Sequence, residues 1–372
     1  MKICVVTPNF TIAGVPLAQI RFARALTNKG HDVDLAIGFI DPQYEFPELG
    51  GLTLVELKRR HVREMLLPLM KYFRTSRPDV VFSAEDHLNA VVLLAAIVSR
   101  SKAKISCSSR VTPFDTYSNI PFSKRWVLKQ LMRAVMWRAD AMTCVSEDMV
   151  EQYRRVFRSP PHLCVYNIVD DRDSRAKSHE AVQHDWLLRK TCPVLLAAGR
   201  LAPWKGFADL IRAMHVLAAK RQVKLLILGD GPLRGDLEKL IADLDLHDSV
   251  ALLGYVTNPL KFFTHADAFV LSSHVEGLPN VLVEAMMCGC TPVSTDCPTG
   301  PREVLAGGRF GYLVPMRDPN ALADGIEKAL DFPIPRELLA AAVRRFEESV
   351  VLERHFQVLG ISSPQQLLAE KS

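Results

Sequence analysis

The sequence predicts an α/β protein built from two doubly wound parallel sheets that face each other across a cleft. Short apolar runs alternate with helical patterns along the chain, which is typical of a parallel sheet covered by helices. The alternation is interrupted once, by the polar and charged residues 169–192, which are interpreted as a linker. The 372 residues are enough for two domains with separate cores, predicted at 1–168 and 193–348.

The predicted strands of the first domain are short apolar runs, and each is followed by a helical pattern or a turn. In chain order these strands are KICVVTP, DVDLAIG, LTLVEL, DVVFSA, KISCSS, DAMTCVS and HLCVYN. Helices are predicted over about 16–29, HVREMLLPLMKYFR, LNAVVLLAAIVS, about 122–138 and EDMVEQYRRVF. Gly30 ends the first of these helices, and Ser146 caps the last.

The second domain repeats the same alternation. Its predicted strands are PVLLAAGR, KLLILGDGP, SVALLGYV, ADAFVLSS, TPVSTD and GYLVP. Its predicted helices are FADLIRAMHVLAAKR, LRGDLEKLIADL, NVLVEAMMC and PNALADGIEKAL. Because ligands of open parallel sheets bind at the carboxyl ends of the strands, the residues that follow these strands are the candidates for a site.

Two glutamates follow the strand ADAFVLSS. Glu276 lies in a turn shaped by Gly277 and Pro279, and Glu284 lies about one turn into the helix that Asn280 is predicted to cap. The free amides of that helix N-terminus suit a diphosphate, and carboxylates accept hydrogen bonds from paired sugar hydroxyls. Taken alone, the glutamates are better explained as a solvated loop residue and a partner of the helix dipole.

The stretch GRLAPWKGF follows the first strand of the second domain. Gly199 allows a close backbone approach, and Arg200 and Lys205 are then expected at the same sheet edge as the glutamates. A guanidinium fork and an ammonium suit a diphosphate leaving group, although solvated surface cations are the commonest alternative. The turn at Gly229 is a weaker signal and is equally explained as a tight connection.

The composition is that of an ordinary globular chain, with 48% hydrophobic and 23% charged residues. No signal peptide and no bilayer-spanning run is recognised, and the eight cysteines form no CxxC pair, so a cytoplasmic protein with reduced thiols is expected. The absence of GxGxxG with a following acid argues against a nicotinamide site. The absence of GxxxxGK[ST] argues against a P-loop kinase.

The net charge of +5 is unevenly distributed along the chain. Residues 1–168 carry 23 Lys and Arg against 15 Asp and Glu, whereas the remainder carries 23 against 26. The segments 58–74 and 123–139 interleave cations with apolar residues, which is typical of contact with an anionic membrane surface. The alternative is that their apolar positions face the core. Nucleic acid is not expected as a partner, because no recognition motif accompanies the charge.

Together these motifs resemble glycosyltransferase family 4. GRLAPWKGF, LILGDGP, LLGYV, the two glutamates, DCPTGPREVL and GRFGYLVP match that family in order and spacing across about 193–331. The first half resembles it more loosely, through AGVPLAQIRFARALTNKGHDV, DVVFSAEDHLNAVVLLAA, ISCSSRVTP and CVSEDMVEQY. The resemblance implies a GT-B fold, a nucleotide-sugar donor, retention of anomeric configuration and no metal or other cofactor. It also implies a C-terminal helix within 349–372 that crosses back onto the first domain.

The resemblance implies roles for residues of the second domain. Arg200 and Lys205 would neutralise the departing diphosphate, Glu276 would hold the sugar ring, and Glu284 would hold the ribose hydroxyls. Further donor-binding positions are expected, chiefly through backbone groups, at Gly199, Gly229, Gly254, Tyr255, Val256, Gly277, Leu278, Pro279 and Asn280.

The first domain departs from the family's pattern after DVVFSA. Phe82 and Ala84 occupy the usual places of an HxH-like segment, so His87 is the candidate to meet the sugar, or else it is the polar cap of the next helix. Gly14, in AG rather than the more usual GG, and Arg110 are candidates for binding the acceptor. For Arg110 the alternative is a surface salt bridge.

The expected function is transfer of a hexose or N-acetylhexosamine from a nucleotide sugar, expected to be UDP-linked, to a glycan or polyprenyl-linked acceptor of the cell envelope. The pathways expected are polysaccharide, lipopolysaccharide or glycolipid biosynthesis, with the enzyme in the cytoplasm or peripheral on the inner face of the membrane. Two alternatives stay open. One is another GT-B chemistry, such as a sugar-nucleotide epimerase or glucan synthase, and the other is a catalytically silent module that binds a partner.

Overall fold

The computed structural model describes residues 1–10, 14–42, 46 and 49–361. The chain forms two compact units: Met1–Ile168 together with the chain from Glu348 onward, and Val169–Glu347. Each unit is organised around one sheet, and every recorded pairing of neighbouring strands within the two sheets is parallel.

The described part of the first unit contains a seven-stranded sheet. Its strands are β1 Lys2–Phe10, β2 Asp32–Ile40, β3 Thr53–Glu56, β4 Val80–Ala84, β5 Lys104–Ser109, β6 Ala141–Cys144 and β7 His162–Cys164. They lie side by side in the order β3-β2-β1-β4-β5-β6-β7. The chain runs outward from β1 to β3, returns to place β4 on the other side of β1, and continues outward to β7, which is the arrangement of a doubly wound sheet.

The helices of the first unit follow the predicted positions closely. They are α1 Gly14–Asn28, α2 Leu66–Ser76, α3 Asp86–Ser99, α4 Pro113–Thr116, α5 Lys124–Val135, α6 Glu147–Val156 and α16 Glu348–Val358. Ser146 caps α6, as predicted, because its hydroxyl accepts a hydrogen bond from the amide of Met149. Short 3-10 helices precede α2 and follow α5, at Val62–Met65 and Met136–Arg138.

Helix α16 completes the core of the first unit, although almost two hundred residues separate it from β7. Leu352 and Phe356 are buried in the same cluster as Phe22 and Phe82. The rings of Phe22 and Phe82 meet edge to face, with centroids 4.8 Å apart. The last helix is therefore an integral part of this core.

The described part of the second unit contains a six-stranded sheet. Its strands are β8 Val194–Ala198, β9 Lys224–Leu228, β10 Val250–Gly254, β11 Ala268–Leu271, β12 Thr291–Thr295 and β13 Tyr312–Val314, in the order β10-β9-β8-β11-β12-β13. β8, β9, β11 and β12 are buried nearly throughout, because parallel strands are covered by helices on both faces.

The helices of the second unit surround this sheet. They are α7 Arg172–Ser178, α8 Asp185–Leu188, α9 Phe207–Ala218, α10 Arg234–Asp243, α11 Leu260–Phe263, α12 Asn280–Met287, α13 Pro301–Val304, α14 Pro319–Asp331 and α15 Arg336–Val343. Three-residue 3-10 helices lie at Pro203–Lys205, Ala306–Gly308 and Arg344–Phe346. The predicted fold class is confirmed, because both units are parallel sheets wound by helices.

Residues 169–192 are not the free polar linker that the sequence suggested. The segment contains α7 and α8 and belongs to the second unit. Its Val182 and Leu187 are buried, and Asn258 donates a hydrogen bond from Nδ2 to the carbonyl oxygen of Lys177 at 2.9 Å. A few buried apolar residues and backbone hydrogen bonds anchor the segment. Its helices are too short for apolar residues to recur at helical spacing.

Two predicted regions fall outside the described residues. The first is residues 11–13, which include the alanine of the AG pair, and the second is the tail 362–372. Among the helices that the structure describes, none is long and apolar enough to cross a membrane.

Candidate functional site

The side chains of Lys205 and Glu276 form an ion pair in the second unit. Nζ of Lys205 lies 2.6 Å from Oε1 of Glu276, and only 18% and 11% of the two side chains are exposed. Lys205 ends the 3-10 helix after β8, and Glu276 lies in the loop after β11. Because β8 and β11 are neighbours in a parallel sheet, their carboxyl ends bring these residues to one edge.

Glu276 is held in place by several hydrogen bonds. Ser273 donates from its buried hydroxyl to the same Oε1, at 2.6 Å. The amide of Glu276 donates to the carbonyl of Pro298 at 2.9 Å, and the hydroxyl of Thr299 donates to the Glu276 carbonyl at 2.7 Å. These bonds fix both backbone and carboxylate, so Glu276 is positioned before a ligand arrives.

The end of β11 also fixes the backbone around Lys205. The hydroxyl of Ser272 donates to the Lys205 carbonyl at 2.8 Å, and the amide of His274 donates to the Trp204 carbonyl at 2.7 Å. Gly206 has a φ of 64°, and a Cβ at this position would lie 2.0 Å from the Ser272 carbonyl oxygen. The turn after Lys205 therefore requires glycine, since any other side chain would push the two loops apart.

Three of the predicted donor-binding glycines lie together at the strand ends. The amide of Gly229 donates to the carbonyl of Gly254 at 2.7 Å, and the amide of Gly199 donates to Leu228 at 2.9 Å. A Cβ on Gly229 would lie 1.9 Å from the Gly199 carbonyl oxygen. Backbone hydrogen bonds between these glycine turns therefore hold the ends of β8, β9 and β10 together. A Cβ on Gly199 would lie 3.5 Å from the side chain of Lys205, which connects these turns to the ion pair.

Arg200, Tyr255 and Val256 lie at the same strand ends but contribute no recorded contact to the ion pair. Arg200 is exposed, and none of the described residues forms a hydrogen bond or ion pair with it. Tyr255 is exposed over about half of its surface, and Val256 is half-buried. The structure therefore brings Lys205 and Glu276 together, while Arg200 extends into solvent.

The helix that carries Glu284 begins one residue earlier than predicted, at Asn280. The prediction that Asn280 caps it is wrong, because Pro279 occupies the cap position and its carbonyl already accepts from the amide of Leu282 at 2.9 Å. Leu278 and Pro279 are buried. Gly277, Asn280 and Glu284 are half-buried. Any ligand contact at 277–280 would therefore fall mainly on backbone groups.

A cysteine near the ion pair remains a neutral thiol. Burial, with a smaller contribution from the charge of Glu276, raises the pKa of Cys297 to about 12. A thiol with such a pKa is a poor nucleophile at neutral pH. Among the residues that the structure describes, no three His, Cys, Asp or Glu side chains are grouped so that they could hold a metal ion.

The predicted acceptor residue Arg110 lies within the first unit, where its side chain bridges two polar partners. Its Nη2 lies 3.2 Å from Oε1 of Gln19 on α1, and its Nη1 donates to Oδ1 of Asn167. Burial lowers the pKa of Arg110 to about 10, and the charge of Glu85 opposes that shift. The surface salt bridge considered from the sequence is not what the structure shows.

His87 lies in the first turn of α3 and pairs with Glu85. Its Nε2 lies 3.2 Å from Oε2 of Glu85, and half of the His87 side chain is exposed. Glu85 has a φ of 81°, a left-handed value that a glutamate adopts only under strain. Burial raises the pKa of Glu85, while the charges of His87 and Arg110 lower it. His87 does not cap α3, because Glu85 precedes that helix.

Gly14 is the first residue of α1 and is exposed. Among the residues that the structure describes, no heavy atom would lie within 4 Å of a Cβ added at Gly14. Gln19, the partner of Arg110, lies on the same helix. Gly14 and Arg110 make no direct contact among the described residues. They are related only through α1, which carries both Gly14 and the Gln19 that Arg110 contacts.

Sequence reasoning missed the residues that position the predicted ones. Ser273 was recognisable as a hydroxyl at a strand end, but its target could not be inferred. Thr299 lies 23 residues from Glu276, and nothing in the sequence connects them. His274 was also missed: its Nε2 lies 2.8 Å from Oδ2 of Asp209 in the first turn of α9.

Two family models match the chain. Residues 179–346 match the model described as Glycosyl transferases group 1, and residues 14–167 match the one described as Glycosyl transferase 4-like domain. The first match lies in the second unit and the second match lies in the first unit. The two matches together include every strand of the two sheets except β1.

Two curated relatives are similar in sequence. One is the Campylobacter jejuni N-acetylgalactosamine-N,N'-diacetylbacillosaminyl-diphospho-undecaprenol 4-alpha-N-acetylgalactosaminyltransferase, 31% identical over 269 residues, covering 72% of this chain and 71% of the relative. The other is the lipopolysaccharide core biosynthesis glycosyltransferase LpsD of Rhizobium meliloti, 34% identical over 170 residues. That second match covers 44% of this chain and 48% of the relative, so the chain spans about half of its length.

The fold is shared with solved structures. The Anabaena protein Alr3699/HepE in complex with UDP-glucose superposes with a TM-score of 0.75, covering 97% of this chain and 99% of that chain. The two sequences are 18% identical, so the likeness concerns the fold alone.

Proposed function

Because the chain belongs to the glycosyl transferases group 1 family, we propose that it transfers a hexose or N-acetylhexosamine from a UDP-sugar, with retention of anomeric configuration. The chain is a glycosyltransferase of the GT-B fold class. The sugar, the nucleotide and the stereochemical outcome are the proposed parts. They rest on the site geometry and on the residues that resemble family 4.

The ion pair of Lys205 and Glu276 is the observation that carries the proposal. A cation held 2.6 Å from a carboxylate, at the strand ends and beside close-packed glycine turns, suits a ligand that has both phosphate and hydroxyl groups. The ammonium would be shared between Glu276 and the diphosphate when the donor is bound. Low exposure strengthens both interactions, because little water screens them.

The remaining donor roles in this proposal rest on the resemblance to family 4. We assign the ribose hydroxyls to Glu284, the sugar ring to Glu276 and the phosphates to Lys205 with Arg200. Backbone groups at Gly277–Asn280 and Gly254–Val256 would contact the sugar phosphate and the base. No metal is required in this proposal, since the two cations neutralise the leaving diphosphate.

The proposed chemistry is a front-face displacement. The bond between the anomeric carbon and the β-phosphate oxygen of UDP breaks, and the acceptor oxygen bonds to the same face of that carbon. The acceptor proton passes to the departing phosphate oxygen. The protein's contribution is then positioning, and stabilisation of the charge that develops on the diphosphate.

We propose a glycan or polyprenyl-linked acceptor of the cell envelope. The name of the Campylobacter jejuni relative includes a diphospho-undecaprenol substrate, and that of LpsD includes lipopolysaccharide core biosynthesis. In the first unit, half-buried Arg110 suits an anionic group of the acceptor, and exposed Gly14 is the first residue of α1. His87, half-exposed and paired with Glu85, is the candidate to meet the transferred sugar.

The experiment measures nucleotide release from a panel of nucleotide sugars, with and without a membrane lipid extract as acceptor. We expect one UDP-sugar to support release that depends on the extract and is insensitive to a chelator. The anomeric configuration of the product, read from proton coupling constants, should equal that of the donor.

Other outcomes would contradict the proposal in distinct ways. An inverted product removes the front-face mechanism, and loss of activity with the chelator removes metal independence. Epimerised sugar without transfer assigns the other GT-B chemistry. Nucleotide binding by calorimetry, without turnover of any donor, assigns a silent binding module.

A further inference from the structure

His274 joins the turn that carries Lys205 to the start of α9. The amide of His274 donates to the carbonyl of Trp204 at 2.7 Å, and its ring Nε2 lies 2.8 Å from Oδ2 of Asp209. A carboxylate only accepts hydrogen bonds, so Nε2 is the donor in this second contact. His274 therefore bonds to the chain one residue before Lys205 and again four residues after it.

The two residues that precede His274 contact the ion pair directly. The hydroxyl of Ser272 donates to the carbonyl of Lys205 at 2.8 Å, and that of Ser273 donates to the carboxylate of Glu276 at 2.6 Å. His274 has a different position, since its two partners lie on either side of Lys205 in the chain. Its effect on the ion pair is therefore exerted through the backbone of the turn.

The carboxylate of Asp209 is fixed at both of its oxygens. Oδ2 accepts from His274, and Oδ1 lies 3.2 Å from Nη1 of Arg212. The amide of Asp209 donates to the carbonyl of Gly206 at 3.0 Å, so its backbone is joined to the same turn. Only 20% of the His274 side chain and 19% of the Asp209 side chain are exposed. Little water therefore screens the contact between them.

The imidazole of His274 packs on the turn where α9 begins. A Cβ at Gly206 would lie 3.1 Å from Nε2 of His274. Gly206 occupies the cap position of α9, and among the described residues no side chain caps this helix. Without the imidazole, the turn 203–206 would keep its backbone bonds but lose the side-chain contact that ties it to the first turn of α9.

We propose that His274 is a positioning residue for Lys205. Its bond to Asp209 holds the turn 203–206 against α9, which keeps the ammonium in its ion pair and in reach of the leaving diphosphate. A displacement of about 1 Å at a reacting group can cost on the order of 10²-fold in rate, so a bond that fixes this turn matters for catalysis. The inference rests on the proposed role of Lys205 at the diphosphate.

A purely structural role is the alternative. An acidic residue in the first turn of a helix interacts favourably with the helix dipole, and Asp209 would do so without any effect on Lys205. The two roles differ in one respect. If His274 acts through Lys205, its removal should have little effect once the ammonium is gone, whereas a merely stabilising pair would contribute equally with or without the ammonium.

Three substitutions separate the bond from the rest of the side chain. His274→Leu removes the donor, and Asp209→Ala removes the acceptor, so each serves if the other variant fails to fold. His274→Gln keeps an amide donor near the place of Nε2 and should preserve the wild-type behaviour. The matched control is His265→Leu, at a half-buried histidine of the same unit whose Nδ1 lies 2.8 Å from the carbonyl oxygen of Lys261.

The first measurement is the rate at which acetic anhydride acetylates the Lys205 amine, read by peptide mass spectrometry. It requires neither donor nor acceptor. Lys205 should react slowly in the wild type, because its side chain is 18% exposed and paired. His274→Leu and Asp209→Ala should raise this rate at least about fivefold, because the turn opens more often without the bond. The rate of half-buried Lys224, which lies over the ring of Trp186, should stay unchanged.

The second measurement is the affinity for UDP, by calorimetry, in a double-mutant cycle. Lys205→Met should weaken UDP binding about tenfold or more, because the diphosphate loses a cation. His274→Leu should weaken it about fivefold in the wild-type background and by less than about twofold in Lys205→Met. His274→Gln and His265→Leu should bind UDP as the wild type does, and circular dichroism should show that all variants are folded.

The outcomes separate this proposal from the proposed function. Failure of the wild type to bind UDP would contradict the proposed donor, while the acetylation rates would still decide whether His274 positions the Lys205 amine. Unchanged acetylation of Lys205 in both His274→Leu and Asp209→Ala would overturn the proposal, as would an equal rise at Lys224. Additive losses in the UDP cycle would also overturn it and assign the pair to the stability of α9.

Discussion

Nζ of Lys205 lies 2.6 Å from Oε1 of Glu276, and the same Oε1 accepts a hydrogen bond of 2.6 Å from Ser273. One carboxylate oxygen therefore holds both a cation and a hydroxyl. In the proposed donor complex, a phosphate would attract the ammonium of Lys205 while Ser273 still donates to the carboxylate of Glu276. The ammonium would then change partner with little rearrangement of the protein.

Replacing Lys205 with methionine should lower kcat on the order of 10²-fold, because the developing charge of the diphosphate loses a preorganised cation. Initial rates of nucleotide release measure this change. Lys220→Met provides a matched control, since Lys220 is an exposed lysine paired with Glu327. A Lys205 variant as active as the wild type would show that this ammonium does not meet the leaving group.

Glu276→Gln should weaken binding of the sugar part of the donor but not binding of the nucleotide part. The amide keeps the shape of the side chain but removes its charge, so the affinity for the UDP-sugar and the transfer rate should fall. The affinity for UDP, which has no sugar ring, should stay within about threefold. Calorimetry with both ligands checks this. A parallel loss for UDP and UDP-sugar would place Glu276 on the nucleotide instead.

Glu284→Gln should weaken UDP binding about tenfold or more, because a charge-assisted hydrogen bond to ribose becomes a neutral one. The sharpest measurement compares UDP with 2′-deoxy-UDP in a double-mutant cycle. The substitution should matter less for the deoxy ligand. Additive effects would contradict the ribose assignment, and Glu337→Gln at the exposed start of α15 serves as the control.

Gly229→Ala should destabilise the fold by about 3 kcal/mol, since its φ is 140° and a Cβ would lie 1.9 Å from the Gly199 carbonyl oxygen. Gly235→Ala should change the free energy of unfolding in the opposite direction. Gly235 is the second residue of α10, and among the described residues beyond the helix's own backbone no heavy atom lies within 4 Å of an added Cβ, so alanine should stabilise the fold by about 0.5 kcal/mol. Urea unfolding of both variants checks the pair, and similar shifts would contradict the packing argument.

The free energy of unfolding should fall as the pH drops below about 6.5, in part because of His162. Burial lowers the pKa of His162 to about 4, and neither ring nitrogen has a hydrogen-bond partner among the described residues. The unfolded chain takes up this proton near pH 6.5 while the folded chain resists it until about pH 4. This single residue should therefore remove about 2 kcal/mol between pH 7.5 and 5.

Unfolding of His162→Leu at both pH values measures that contribution. The variant should lose about 2 kcal/mol less stability than the wild type over this interval. His61→Gln, at an exposed position, should retain the wild-type pH dependence. An unchanged slope in His162→Leu would show that this residue is not kept neutral by burial.

The sheet edge could be predicted from the sequence, but the contacts at that edge could not. Parallel strands have all their carboxyl ends on one side, so runs such as VLLAA and AFVL were enough to place Lys205 and Glu276 together. The partners of Glu276 depend on how the loop 296–300 folds back, which local patterns do not encode. The exposure of Arg200 depends in the same way on the turn at Gly199.

The error at 169–192 has a different origin. The segment is rich in charged residues, and its helices are seven and four residues long, too short for a periodic apolar pattern. Its packing relies on isolated residues such as Val182 and on backbone acceptors such as Lys177. The error at Asn280 arose because a good capping residue does not have to cap: the helix begins at Asn280 itself, after Pro279, and no side chain caps it.

The placement of α16 has a consequence for biosynthesis. The second unit is a continuous stretch of chain, Val169–Glu347, whereas the core of the first unit needs Leu352 and Phe356. A nascent chain leaves the ribosome from its N-terminus, so the unit made first must wait for the last helix before its apolar cluster is filled. Until then the groove that receives α16 stays open, and the later-made unit can finish folding before the earlier one.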